Sequence, residues 1–409
     1  MKFTFRTFGC KMNWLDSARI SAGLQMAGNI PVESEDEADV ILVNSCIVTA
    51  KAEGESRREA IKASKNNKTV VIFGCGPKAN ETKWKKHFPD AIVFGNESLL
   101  LHHFGLSEKD TYFPDSARTR LPIAIQSGCD NFCTFCVTRI SRGKHESLPL
   151  EGIIRQIVRA EESGIQEIVL TGINLAAWGC DNSNNSKKSQ FGKLLHEILS
   201  HTNVPRIRIS SIGPQFLHED FFEEMKNPRM CDHLHLSIQS GSDQILQKMN
   251  RGHGTKEVYE IVKKMRKIRP GTAFTADFIV GFPGEAEEDF QKTMEMVKKI
   301  GFAKLHVFPF SEREGTGAAN FPDKIEVFER KNRAKKLREL GEILSKKFIE
   351  SHIGKKMRVL VEADKTGLTS NYIRLKIPVG KPREFQEVKI MKKNVLFFPT
   401  PQDQNSPET

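Results

Sequence analysis

The sequence predicts an α/β protein in three parts: an N-terminal open parallel α/β sheet domain, a central partial (β/α)6 barrel and a small C-terminal β-barrel-like module. Three observations predict it. Strand and helix patterns alternate regularly over residues 1–105 and again over 121–308, as parallel sheets with crossover helices require. Cysteines stand at the C-terminal ends of several predicted strands, the edge where open α/β sheets bind their ligands. After residue 354 the alternation gives way to short β-rich runs.

Residues 3–8 read as the first strand, and Leu15, Ala18, Ala22 and Met26 follow at helical spacing. Residues 38–44 form a continuous apolar run suited to a strand buried on both faces. A charged helix follows over 51–65, and residues 69–73 and 91–94 are further strands with a Lys-rich helix between them. Cys10, Cys46 and Cys75 each end a strand, in turns reading Phe-Gly-Cys-Lys, Asn-Ser-Cys-Ile and Phe-Gly-Cys-Gly. Small buried cysteines often fill strand ends. Three of them on one sheet edge predict instead a three-thiolate iron–sulfur site with one iron open.

A polar connector over 106–120, with Pro114 and Asp115, leads into a second domain over 115–350. Its first strand is followed by Cys129-Asp-Asn-Phe-Cys-Thr-Phe-Cys136, a C-x3-C-x2-C loop. Three thiolates on one tight loop can each take one iron of a cubane cluster and leave the fourth iron open. A structural zinc would want four ligands, and no C-x2-C or H-x3-H partner follows at finger spacing. A helix over 151–162, a strand over 167–171 and a helix over 192–200 come next. Strands over 206–212, 233–239, 274–280 and 304–308 complete six β/α units. Chemistry in such barrels sits at the C-terminal strand ends. The Asn/Ser/Lys-rich stretch 181–190 reads as a loop, and a long charged helix over 325–351 closes the domain.

Residues 354–393 hold eleven Lys/Arg against four Asp/Glu, a surplus of seven in a chain whose whole surplus is +11. Such a compact basic β-module suits a grip on RNA. The tail over 399–409 is polar and reads as disordered. With 38% apolar residues and a mean hydropathy of −0.41, the composition suits a soluble protein. No apolar run approaches the ~20 residues of a membrane span, and residues 1–10 read as a charged strand rather than a signal peptide. A cytoplasmic location with reduced thiols follows as the expectation, in which clustered cysteines mean metal. The pI near 9.2 points to an anionic partner, nucleic acid first.

With both cysteine trios placed, the chain resembles the radical S-adenosylmethionine (SAM) methylthiotransferases, the family of the MiaB, RimO and MtaB types. The resemblance rests on the cluster loop at 129–136, on Phe-Gly-Cys-Lys-Met-Asn at 8–13 and on Asn-Ser-Cys-Ile-Val-Thr at 44–49. Three runs look most like the MtaB type: Arg-Ile-Arg-Ile-Ser-Ser-Ile at 206–212, His-Leu-His-Leu-Ser-Ile-Gln-Ser-Gly-Ser at 233–242 and Leu-His-Val-Phe-Pro-Phe-Ser at 305–311. The chain departs from the family after the cluster loop, where Glu146 and Leu148 stand in place of usual arginines, and at Trp14. The C-terminal module resembles a short TRAM domain.

The resemblance implies two [4Fe-4S] clusters, one on Cys129, Cys133 and Cys136 and an auxiliary one on Cys10, Cys46 and Cys75. It implies SAM on the open iron of the first, cleaved to a 5′-deoxyadenosyl radical. The product would be a methylthio group on C2 of threonylcarbamoyladenosine at tRNA position 37. The C2–H is unactivated, so the cofactor does the hard step and the protein supplies position. Phe135 is expected beside the SAM adenine. Thr171, Gly172 and Asn174 are expected at its methionine end. Ser211, Gln239, Asp277 and Gly281 are expected on the same rim. Arg251 and Ser210 are expected on the substrate. The partners are the tRNA anticodon loop and an electron donor of the flavodoxin or ferredoxin type, with no membrane. Cys180 and Cys231 fit neither trio, and His145, His233, His235 and His253 read as packed or hydrogen-bonded. The rivals are MiaB-type action on isopentenyladenosine, RimO-type action on a ribosomal-protein aspartate, and a non-catalytic iron–sulfur RNA-binding protein.

Overall fold

The structure, a computed structural model, describes residues 1–65, 68–107, 118–180 and 188–396. Pro114 and Asp115, most of the 181–190 loop and the 399–409 tail therefore lie outside the described residues. No helix among the described residues is long and apolar enough to cross a membrane.

The first sheet contains β1 (Lys2–Thr7), β2 (Ile30–Pro31), β3 (Val40–Ser45), β4 (Thr69–Gly74) and β5 (Ile92–Val93), all parallel, in the order β2-β1-β3-β4-β5. The central strands alternate between two apolar layers. Ile41, Val43, Val70 and Ile72 face one, with Trp84. Leu42, Val71 and Phe73 face the other, with Ile20, Leu24 and Leu100. A strand wedged between two helical layers is apolar throughout, which explains the unbroken run in β3.

The second unit begins with β6 (Arg120–Ala124). The short strands β7 (Gln126–Ser127) and β8 (Glu146–Ser147) pair antiparallel. Next come β9 (Glu167–Thr171), β10 (Arg206–Ile209), β11 (Ser211–Ile212), β12 (His233–Gln239), β13 (Ala273–Val280) and β14 (Lys304–Pro309). They form parallel sheets β10-β9-β6 and β11-β12-β13-β14, joined where β10 runs into β11. The expected single strand over 206–212 is thus broken at Ser210, whose N–H turns to the Leu170 carbonyl while Ser211 pairs with His235. That break lets one chain segment pass from one sheet to the other. Along β12, Leu234, Leu236 and Ile238 join the large core under the helices. His233, His235 and Ser237 alternate with them and hydrogen-bond to Thr275 and Asp277 of the neighbouring strand, so the barrel interior is polar.

The helix Val327–Glu350 leads to β15 (Lys356–Val361), β16 (Thr366–Thr369), β17 (Arg374–Lys376) and β18 (Phe385–Lys389), an antiparallel sheet in the order β17-β16-β15-β18. Its β16, set around Gly367, carries too little patterning to be read from the sequence. This sheet closes the N-terminal end of the barrel strands. Arg206 donates to the Leu368 carbonyl at 2.9 Å, Arg208 to Thr369 and Ser370 at 3.1 Å each, and Tyr372 stacks on His233 at 4.5 Å. The two arginines are themselves held by Glu167, which is fully buried.

Candidate functional site

The loop that carries Cys129, Cys133 and Cys136 is closed at its base by the β7–β8 pair. Gly128 enters it at φ +65°, where a side chain would run into the Lys144 carbonyl, so only glycine fits. Cys129 N–H donates to Gly143 and Cys136 N–H to Cys133. Thr134 pins the loop to the end of β12's following helix through Met249 and Lys248. Each sulfur is met by a donor. The Asn131 N–H lies 3.4 Å from Cys129, the Thr138 N–H 3.4 Å from Cys136, and Arg251 Nη1 3.2 Å from Cys133. Burial pushes the Cys129 thiol up to about 11; the Asn131 hydrogen bond opposes this and the neighbouring Cys133 and Cys136 reinforce it. Burial likewise raises Cys136. A metal held there would have to displace protons from these thiols.

The other trio is assembled by the sheet. β1, β3 and β4 are neighbours, so Cys10, Cys46 and Cys75 leave three adjacent strands at the same edge. Cys10 N-caps the helix Lys11–Met26 and is exposed, whereas Cys46 and Cys75 are buried. Burial pushes Cys46 up to about 12; a Val48 backbone hydrogen bond works against it, and Cys75 and Cys10 add to it. Gly9, at φ +98°, lies so close that a Cβ there would sit 2.7 Å from the Cys46 sulfur. Asn13, fully buried, donates to the Phe8 and Ser45 carbonyls at 2.8 and 3.0 Å, and its Oδ1 faces Cys75 at 3.4 Å. All eight cysteines are free thiols.

The two units touch through elements that flank both trios. The helix Thr138–Arg142, which follows Cys136, packs on the helix Cys75–Ala79. Arg142 reaches Cys75 at 3.3 Å, Asp16 at 2.7 Å and the Asn13 side-chain oxygen.

The remaining residues expected at the site fall into two groups. Gly172 and Asn174 lie beside the cluster loop, because one side chain, Gln126, accepts from Asn174 N–H at 2.8 Å and donates to the Gly128 carbonyl at 2.6 Å. A Cβ on Gly172 would lie 3.0 Å from Gln126. Thr171 ends β9 beside Ser210, 3.5 Å away. Gln239 is buried at the end of β12 with φ +82°, a conformation that a side chain other than glycine adopts only where its surroundings enforce it. Ser211 is exposed.

The others have partners of their own. Asp277 is held by His235 at 3.1 Å and Ser237 at 3.4 Å, with His306 at 3.7 Å. Burial would raise its carboxyl, but His235 and His306 outweigh that and lower it. These three ligand-type groups lie within 4.8 Å of one another. Phe135 packs among Ile245, Met249, Phe282 and Phe310, under the loop. The space over Gly281 is filled by Arg330. Arg251, expected on the substrate, donates to the Cys133 sulfur at 3.2 Å and to the Ser237 carbonyl at 2.7 Å. Its Nε is buried without a partner among the described residues. His145, His233 and His253 are hydrogen-bonded to Ser147, Thr275 and the Ile238 carbonyl. Arg142, Gln126, Asn13 and His306 were not singled out from the sequence. Only Asn13 carried a signal, one helical turn after Cys10.

Comparison with known proteins adds the following. The Radical SAM superfamily model matches residues 123–297, and that of Uncharacterized protein family UPF0004 matches residues 2–95. The chain is 35% identical over 390 residues to the threonylcarbamoyladenosine tRNA methylthiotransferase MtaB of Rickettsia prowazekii, covering 91% of this chain and 90% of that protein. It is 32% identical over 411 residues to the MtaB protein of Thermotoga maritima, covering 94% and 93%. It is also 32% identical over 388 residues to the tRNA-2-methylthio-N(6)-dimethylallyladenosine synthase of Ralstonia pickettii, covering 88% and 85%. Among solved structures, the radical SAM methyltransferase TsrM of Kitasatospora setae superposes with a TM-score of 0.58 at 13% identity, over 78% of this chain and 76% of that one. That last likeness is one of fold.

Proposed function

The chain belongs to the radical-SAM methylthiotransferases, and from that membership we propose that it adds a methylthio group to C2 of N6-threonylcarbamoyladenosine at position 37 of tRNA. The observation that supports the reading is that Arg142, on the helix that follows the Cys129–Cys136 loop, reaches Cys75 of the other trio. A methylthio transfer needs a radical source and a sulfur source within reach of the same carbon, and a single trio would supply only one of them.

The residues fit the groups. Each trio offers three free thiols on a rigid frame, and Gly9 keeps open a space that any other side chain would fill. Cys129, Cys133 and Cys136 would hold the [4Fe-4S] cluster of the radical-SAM family, and Cys10, Cys46 and Cys75 a second one. When bound, the first cluster with SAM supplies one-electron chemistry and the second supplies sulfur, with electrons from a flavodoxin- or ferredoxin-type donor. The protein's own share is placement. Gln126 locks the Gly172–Asn174 turn to the cluster loop, so that turn would hold the methionine end of SAM. Arg251 holds Cys133, and its unpartnered Nε is the donor left to meet a bound anion. Gln239, with Asp277 beside it, lines the barrel interior. The exposed lysines of the C-terminal sheet, among them Lys356, Lys376 and Lys389, suit RNA phosphates.

The base at position 37 must leave its stack to reach such a site. Ser210 and Ser211 at the break between the barrel sheets, with the Arg251 Nε as a further donor, would read a carboxylate and a hydroxyl, and donors left unpaired would reject an analogue lacking them. Assayed with SAM, reductant and sulfide, the protein should modify threonylcarbamoylated tRNA and leave isopentenylated tRNA nearly untouched. Equal rates on both, or activity on a ribosomal protein alone, would overturn the substrate assignment.

A further inference from the structure

Arg142 belongs to one trio by sequence and to the other by contact. It is the last residue of the helix Thr138–Arg142, six positions after Cys136. Its side chain is only 4% exposed, in the N-terminal unit's thiol cluster. The guanidinium makes three distinct contacts there. Nε donates to the Cys75 sulfur at 3.3 Å, Nη1 pairs with Asp16 at 2.7 Å, and Nη2 donates to the Asn13 side-chain oxygen. Asn13 in turn grips the carbonyls of Phe8, two residues before Cys10, and Ser45, immediately before Cys46. One arginine therefore touches one ligand directly and the turns of the other two through a single amide. A planar fork can do this; a lysine's point charge cannot.

We propose that Arg142 is a positioning residue that keys the two trios to each other and raises the reduction potential of the centre held by Cys10, Cys46 and Cys75. The proposal rests on the reading of those three thiols as iron ligands. Reduction adds negative charge to an iron–sulfur cluster, so a hydrogen bond and a positive charge at a ligand sulfur favour the reduced state. Asp16 partly neutralises that charge, so it sets the opposite sign. The neighbouring cation Lys78 is paired with Glu97 at 2.9 Å, and among the described residues it is Arg142 that donates to the Cys75 sulfur.

The test is a redox titration followed by electron paramagnetic resonance, on full-length protein carrying Cys129, Cys133 and Cys136→Ala so that the second centre is read alone. Arg142→Gln should move its midpoint potential to a more negative value at unchanged iron content. Arg142→Lys should fall between, because it keeps the charge and loses the fork. Asp16→Asn should move the potential the other way. Unmoved potentials in Arg142→Gln and Asp16→Asn, or shifts of the opposite signs, would overturn the proposal. If Arg142→Gln does not retain iron, Arg142→Lys decides it: a negative shift at full iron supports it, and an unmoved or positive potential sinks it. A parent protein that binds no iron would overturn the ligand reading itself, and with it this proposal.

Discussion

The two cysteine trios solve the same problem in opposite ways. Cys129, Cys133 and Cys136 sit within eight residues, on a loop closed by a pair of two-residue strands and supplied with a donor for each sulfur. Cys10, Cys46 and Cys75 come from three strands far apart in sequence, and meet because β1, β3 and β4 are adjacent. The first site is written in local spacing. The second exists only once the sheet has formed, and its parts are tied by one buried asparagine and an arginine borrowed from the other unit. A centre built on one loop needs only that loop to be held, whereas one built on a sheet edge inherits every tolerance of the fold.

The strongest way to break the comparison is to remove each trio in turn. Cys129, Cys133 and Cys136→Ala should abolish both reductive cleavage of SAM and product formation. Cys10, Cys46 and Cys75→Ala should abolish product formation alone, with about four of about eight irons lost and SAM cleavage retained. Iron analysis and 5′-deoxyadenosine measurement separate the two. Full iron in the second variant would remove the assignment of those thiols. A smaller effect sharpens the contrast. Gly9→Ala places a Cβ 2.7 Å from the Cys46 sulfur at φ +98°, a strained backbone with an intruding methyl. It should cost most of the second centre's iron and leave the loop's cluster full, while Gly128→Ala should do the reverse. Equal losses in both centres for either variant would mean that the sites do not assemble independently.

How legible each part was follows from the same contrast. The alternation of strands, the loop trio and the convergence of the distant trio could be read from the sequence, because periodicity and turn residues are local signals. Strands over 167–171 and 233–239 fall where they were expected. The break at Ser210 and the strand Thr366–Thr369 were not legible, since one is set by a change of sheet and the other by pairing partners. Side-chain roles were the least legible. That Arg251 lies against Cys133 was not readable from the sequence. Gln126 and Arg142 act across distances in sequence that no spacing rule covers. A polar residue's partner is a property of the assembled fold, and the sequence lists only what it is able to bond.

The far end of the barrel offers a third charged cluster, satisfied without any iron. Glu167 has no exposed surface and is clasped by Arg206 and Arg208, which also hold the C-terminal sheet through the carbonyls of Leu368, Thr369 and Ser370. Burial would raise its carboxyl, but Arg206, Arg208 and Arg120 outweigh it and bring it to about 2, from an ordinary 4.5. A carboxyl depressed in the folded state stabilises above its unfolded pKa, and that stability is lost as pH falls through the folded value. The window is therefore between about 4.5 and 2, and the contribution at neutral pH is about 3 kcal/mol. Removing one partner of a buried pair costs a similar amount, about 3–5 kcal/mol. Glu167→Gln should thus lower stability to urea by about 3 kcal/mol at pH 7, and the difference from the native protein should shrink as pH falls through this window. Iron content at pH 7 should be unchanged in this variant, because both cysteine trios sit at the opposite strand ends. A constant stability difference from pH 7 down to pH 2 would show that the arginines hold the sheet without the carboxylate, and iron loss at pH 7 would show that the two ends of the barrel are not independent.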